Sequence, residues 1–150
     1  MTISRSAALA ALAAFAVLPA AARATTLAEW RAKLPAMTYE VMFEEGTEPP
    51  FSSPLDKQTA SGTYACAACD LALYSSKTKY DSGTGWPSFY RPLPDAIRTK
   101  VDTSIPMEPR VEVHCKRCAG HLGHVFDDGP APTGKRYCMN GVALNFHPTT

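Results

Sequence analysis

The chain carries almost no net charge. Fifteen lysines and arginines stand against fourteen aspartates and glutamates, a formal charge of +1. Nucleic-acid binding leaves a basic excess in a sequence, and this one has none. Beyond Leu18 no apolar run reaches membrane length, so the remaining chain has no candidate spanning helix. Repeats and low-complexity tracts are missing too, which excludes a solenoid and a disordered tail. Free cysteine is scarce. Four of the five cysteines form two Cys-x-x-Cys pairs, Cys66/Cys69 and Cys115/Cys118, and only Cys138 is left over. Thiol chemistry outside the pairs therefore falls to a single sulfur.

What is present begins with an export signal. Arg5 supplies a basic start, Ala7 to Leu18 is an alanine-rich apolar run, and Ala22-Arg23-Ala24 has the Ala-x-Ala form of a cleavage site. The run is shorter than the roughly 20 residues a spanning helix needs. Arg5 stands alone, which argues against a twin-arginine signal, and no cysteine near the cleavage site suggests a lipid anchor. Residues 1–24 are expected to be a signal peptide and residues 25–150 one domain. The expected destination is the periplasm of a Gram-negative bacterium, with no stable membrane association after cleavage.

Thirteen prolines and nine glycines point to many turns and short strands. Leu27 to Leu34 is expected to be a short helix ended by Pro35. Ala36, Tyr39 and Phe43 mark one face of a second helix, with Gly46 as its stop. Thr47-Glu48-Pro49-Pro50 forces an extended linker. Strand candidates follow at 63–65, 71–74, 111–114, 125–126, 136–140 and 142–146. The whole predicts a mainly β, mostly antiparallel domain with short N-terminal helices.

Each Cys-x-x-Cys turn can supply two thiolates, and two such turns make a tetrahedral zinc site. Four cysteines would close that site, so it would be structural rather than catalytic. Two disulfides or a redox dithiol are the rival readings, and export adds weight to them.

Cys138 lies between Arg136 and Asn140. On a strand all three point the same way, and a neighbouring positive charge favours thiolate, the nucleophilic form. Trp86 sits in the glycine-flanked turn Gly83-Thr84-Gly85-Trp86-Pro87. With Phe89 it can form an apolar platform for a small alkyl group; equally, it can be a core tryptophan. His121 and His124 can pass protons near neutral pH, or serve as a spare metal ligand or core histidines. His114 and His147 are expected to be structural or exposed. A thiol, an aromatic surface and imidazoles suit reduction of a sulfur–oxygen bond. They also suit a thiol hydrolase, and local physics leaves both open.

Three long motifs carry a family resemblance: residues 81–89 (DSGTGWPSF), residues 121–130 (HLGHVFDDGP) and residues 136–140 (RYCMN). With both Cys-x-x-Cys pairs, the LAEW stretch at 27–30 and the GTEPPF stretch at 46–51, they closely resemble the B-type methionine-R-sulfoxide reductases. The resemblance implies a β-sandwich of two small antiparallel β-sheets, with a structural zinc on Cys66, Cys69, Cys115 and Cys118 remote from the catalytic face. It implies reduction of the R epimer of methionine sulfoxide in oxidised proteins. Cys138 would be the nucleophile, oxidised to a sulfenic acid. Trp86, with Phe89 beside it, would hold the S-methyl group. His121, His124 and Asn140 would surround the oxygen, with Arg136 and Asp128 in the same polar shell. One departure stands out. Many members carry a resolving cysteine where this chain has Thr84. A one-cysteine enzyme is therefore expected, a monomer reduced by a thioredoxin-like protein or a small thiol.

Overall fold

The computed structural model describes residues 24–149, so the expected signal peptide lies outside the described residues apart from Ala24. Two short helices come first. α1 (Leu27–Lys33) opens on a capping box, with the Thr26 side chain and Glu29 satisfying each other's backbone N–H groups. α2 (Ala36–Phe43) starts after Pro35 and buries Val41 and Met42. Its exit turns through Glu45 in the left-handed region, φ 56°, and the Gly46 N–H returns to the Glu40 carbonyl at 3.1 Å. No helix among the described residues is long and apolar enough to cross a membrane.

Nine strands follow: β1 (Gly62–Cys66), β2 (Ala72–Ser75), β3 (Lys79–Tyr80), β4 (Ser88–Phe89), β5 (Ile97–Asp102), β6 (Arg110–Cys115), β7 (His121–Phe126), β8 (Arg136–Met139) and β9 (Leu144–Pro148). They form two antiparallel sheets. One has three strands in the order β2-β1-β9, the other six in the order β3-β4-β8-β7-β6-β5. Between them lies a core of Tyr64, Leu73, Tyr74, Phe89, Val113, Leu122 and Met139, all fully buried.

Phe89 belongs to this core. It stacks on Tyr74 at 4.4 Å between ring centroids and meets Tyr64 edge-on at 4.9 Å. The expected platform of Trp86 and Phe89 does not form. The two residues are three apart across Pro87, and β4 turns the phenyl ring inward. Aromatic pairs of this kind contribute about 0.5–1.5 kcal/mol beyond burial alone, which accounts for the ring's position without any ligand.

Several strands were not foreseen: the two-residue β3 and β4 were absent from the candidates. β7 begins at His121, not at Val125, and β5 was absent from the strand candidates. β5 has the sequence IRTKVD and is exposed along most of its length. It closes the edge of the sheet with Arg98 and Lys100, charges that discourage pairing with another chain.

Candidate active site

The strand register builds the site. Lys100 stands opposite Glu112, Glu112 opposite His124, His124 opposite Cys138, and Cys138 opposite Ser88. Directly opposed residues point to the same side of a sheet, so these five form one row across five strands. Two residues along, Asp102 faces Arg110 and Phe126 faces Arg136 in a second row. Gly123 lets β7 and β8 close up beside the thiol. A Cβ at that position would lie 2.1 Å from the Cys138 carbonyl oxygen.

Over these rows lies a cleft of about 130 Å³, lined by Thr47, Trp86, Arg110, Gly123, His124, Phe126, Cys138 and Asn140. Trp86 and Phe126 supply its apolar surface. His124, Asn140, Arg110 and Cys138 supply polar groups. A space of this size takes the end of one unbranched side chain.

Glu48 holds two walls of the cleft. Its backbone N–H donates to Asn140 Oδ1 at 3.0 Å, and its carbonyl accepts the Trp86 indole N–H at 3.1 Å. Its buried carboxylate accepts the backbone N–H groups of Gly141 at 2.6 Å and Val142 at 2.9 Å. Glu48→Gln keeps the size but turns one acceptor into a donor facing an N–H. Denaturant unfolding should show a loss of about 1–3 kcal/mol. An unchanged midpoint would mean that this carboxylate does not brace the cleft. Asn140 also donates from Nδ2 to the Leu122 carbonyl at 3.1 Å, which leaves its second amide hydrogen available.

Cys138 Sγ lies 3.8 Å from the Thr84 hydroxyl, which bonds Ser82 at 2.8 Å. Burial pushes the Cys138 thiol above its ordinary value. The Thr84 contact and the Arg136 charge pull it back only in part. The expected thiolate is thus not the resting form. Desolvation outweighs the guanidinium, which is already engaged by Asp128 at 2.8 and 2.9 Å and lies over the Phe126 ring at 4.3 Å. Asp128 is mostly exposed and does not line the cleft; it reaches the site only through Arg136.

The histidines differ. His124 lines the cleft, and its Nε2 lies 2.8 Å from Asp102 Oδ2. Burial lowers its pKa, and the bond to Asp102 opposes that shift. His121 is buried beneath, 5.3 Å from His124 between ring centroids, and does not line the cleft. Burial lowers its pKa to about 4. Its Nδ1 lies 2.8 Å from Glu112, whose other oxygen is 2.9 Å from Lys100 Nζ, and its Nε2 is buried without a partner. Both imidazoles are neutral at pH 7.

Sequence reasoning missed Thr47, Arg110 and Asp102 as neighbours of this site. Arg110 was legible in principle, two residues before Glu112 on the same strand face. Asp102 alternates with Arg98 and Lys100 in IRTKVD, but nothing in the chain places that segment beside β6.

The two Cys-x-x-Cys turns are the same knuckle twice. Each ends a strand, and the residue four beyond its first cysteine is left-handed, Asp70 at φ 57° and Ala119 at φ 60°. Cys66 Sγ lies 3.6 Å from Cys118 Sγ, and Cys69 Sγ lies 3.6 Å from Cys115 Sγ. All four sulfurs fall within 4.8 Å of one another. A tetrahedron with metal–sulfur bonds of about 2.3 Å has sulfur–sulfur edges of roughly 3.8 Å, so the cluster fits a metal ion. Disulfides need sulfurs near 2.05 Å, and the five cysteines are free.

Residues 34–148 match the SelR domain family. Among individual proteins, the chain is 56% identical over 119 residues to the peptide methionine sulfoxide reductase MsrB of Methanosarcina barkeri (strain Fusaro / DSM 804); the match covers 79% of this chain and 83% of the relative. It is 54% identical over 124 residues to peptide methionine sulfoxide reductase MsrB of Pseudomonas putida (strain W619), covering 82% and 92%. The chloroplastic peptide methionine sulfoxide reductase B1 of Arabidopsis thaliana is 49% identical over 119 residues, covering 79% of this chain but only 59% of that longer protein.

Proposed function

The chain belongs to the SelR-domain family of peptide methionine sulfoxide reductases, and from that premise we propose that it reduces the R epimer of methionine sulfoxide in oxidised proteins through a sulfenic acid on Cys138. The observation that carries this reading is the cleft. Within about 130 Å³ it combines the chain's one cysteine outside the four-sulfur cluster, an indole, an imidazole and a carboxamide.

The chemistry follows from the side chains. The Cys138 thiol is protonated, so a base must take its proton as sulfur attacks. His124 is neutral and directly opposite, and it is that base. The sulfoxide oxygen gains the proton, the bond between the oxygen and the substrate sulfur breaks, and the oxygen ends on Cys138. The balance is one thiol plus one sulfoxide giving one sulfenic acid plus one thioether. Asn140 and Arg110 supply N–H groups for the oxygen as charge develops on it. His121, buried and neutral, supports the site from beneath.

Epimer choice follows from the two surfaces. The R epimer places its methyl on Trp86 and its oxygen among the polar groups. The S epimer exchanges them and sets the oxygen against an apolar ring, where it loses its hydrogen bonds. A chirally resolved assay on dabsyl-labelled methionine sulfoxide checks this. Consumption of R with S untouched is expected, and turnover of S would reject the assignment of the two surfaces.

Thr84 cannot resolve the sulfenic acid, and the other four cysteines are gathered in the cluster. An external thiol therefore displaces hydroxide from Cys138 sulfur, giving a mixed disulfide and water, and a second thiol releases the enzyme. A thioredoxin-like protein or a small thiol fills that role. The cluster is assigned to structural zinc, on its four cysteine sulfurs and their spacing. The Ala-rich leader supports a periplasmic location, where we propose that the enzyme acts as a monomer and repairs exported proteins after oxidative damage.

A further inference from the structure

Asp102 has no place in the reaction as described, yet it makes the shortest polar contact to the cleft imidazole. Its Oδ2 lies 2.8 Å from His124 Nε2 and 2.7 Å from an Arg110 amino group, and its Oδ1 accepts the Ser104 N–H at 2.9 Å. From this geometry we infer that Asp102 is a positioning residue which fixes the proton of neutral His124 on Nε2 and leaves Nδ1 free to take the thiol proton. The inference rests on the proposed role of His124 as base.

The argument starts from donors and acceptors. An ionised carboxylate only accepts hydrogen bonds. Hydrogen bonds from Ser104, then that from His124, hold the Asp102 pKa well below the usual carboxylate range, so it is ionised at every working pH. His124 Nε2 must then be the donor, and a neutral imidazole has one N–H. Nδ1 keeps its lone pair. Without this constraint the ring could adopt either tautomer, and one of them has no base at Nδ1.

The same contact stabilises the next state. When His124 has taken the thiol proton, the imidazolium faces the Asp102 carboxylate. Asp102 raises the affinity of His124 for a proton against the opposing effect of burial. The other charged or titratable groups around the ring do not replace it. Arg110 on β6 is positive and acts in the opposite sense. The carboxylate of Glu112, also on β6, is held by Lys100 and His121. His121 on β7 is neutral, and Cys138 on β8 is the group that gives up the proton.

Arg110 secures the clamp. Asp102 and Arg110 are the cross-strand pair next to the loop of the β5–β6 hairpin, so the ion pair pins the carboxylate while it holds the imidazole. The Arg110 Nε is buried without a partner, which leaves Asp102 as the chief anchor of that guanidinium.

The tautomer can be read directly. In ¹⁵N-labelled wild type at high pH, two-bond nitrogen–proton spectra should show His124 with its proton on Nε2. In Asp102→Asn Oδ1 still accepts Ser104 N–H, which turns the amide NH₂ toward both the ring and Arg110; the Arg110 contact is lost and the neutral proton should move to Nδ1. The kcat for R-sulfoxide should fall by about a hundredfold, the scale of a lost general base, with KM within about twofold. The acid limb of the pH–rate profile should move to lower pH, because the group that raised the His124 proton affinity is gone. A wild-type ring carrying its proton on Nδ1 overturns the inference whatever the variant does. So does an Asp102→Asn protein with unchanged tautomer and pH profile. Failure of the sulfenic acid chemistry itself would appear separately, as wild-type protein that gains no oxygen on Cys138.

Discussion

Replacing Cys138 by serine should lower sulfoxide reduction on the order of a thousandfold or more, the scale seen when a nucleophile is removed. The oxygen that leaves the substrate must end on an atom that can be oxidised by two electrons, and a serine hydroxyl is not one. No other thiol can substitute. The four remaining sulfurs contact one another, and Cys115 lies two strands from β8 and three residues along β6 from Glu112 in the Cys138 row, roughly 14 Å away at strand spacing. The variant should melt within a few degrees of wild type, since the change is one atom on a half-buried side chain. The matching experiment on wild type omits the reductant. One equivalent of substrate should be consumed per chain, and mass spectrometry should find one added oxygen on the peptide that contains Cys138. A disulfide between Cys138 and any cluster cysteine would remove the one-thiol scheme. Activity above one tenth of wild type in the serine variant would remove Cys138 from the chemistry altogether.

Much of this site was legible in the sequence because strands have a period of two. Arg136, Cys138 and Asn140 share a face by alternation alone. What alternation does not supply is the neighbour across the sheet. His124 meets Cys138, and Glu112 meets His124, only through the register of β6, β7 and β8. Asp102 was invisible for the same reason: IRTKVD alternates, but only the pairing of β5 with β6 brings its charged face to His124. Phe89 was misplaced because nearness to Trp86 in the chain says nothing about which side of β4 a ring takes. The thiol's protonation was misjudged because a local charge is legible in sequence and burial is not. Cys138 has both, and desolvation is the larger effect.

Removing the proposed zinc should be the more drastic loss for the fold. The cluster draws two thiols from the β1–β2 hairpin and two from the β6–β7 hairpin, one in each sheet. It therefore clamps the sheets at one end of the core. Structural zinc binds folded peptides with roughly 10–16 kcal/mol, comparable with the roughly 5–15 kcal/mol that separates a whole domain from its unfolded chain. Without the ion the same four sulfurs crowd each other. Four like charges within 4.8 Å of one another cannot all persist once the cation between them is gone. A strong chelator, or Cys115→Ala, should thus lower Tm by more than about 20 °C or leave the chain unfolded at 25 °C. Metal analysis of the purified protein should give one zinc per chain with all thiols reduced. Less than half an equivalent of zinc, or a melt indifferent to the chelator, would show that packing alone joins the sheets. Activity should disappear along the same curve as the far-ultraviolet circular dichroism, because the row from Lys100 to Ser88 spans strands that only the intact sheet holds in register.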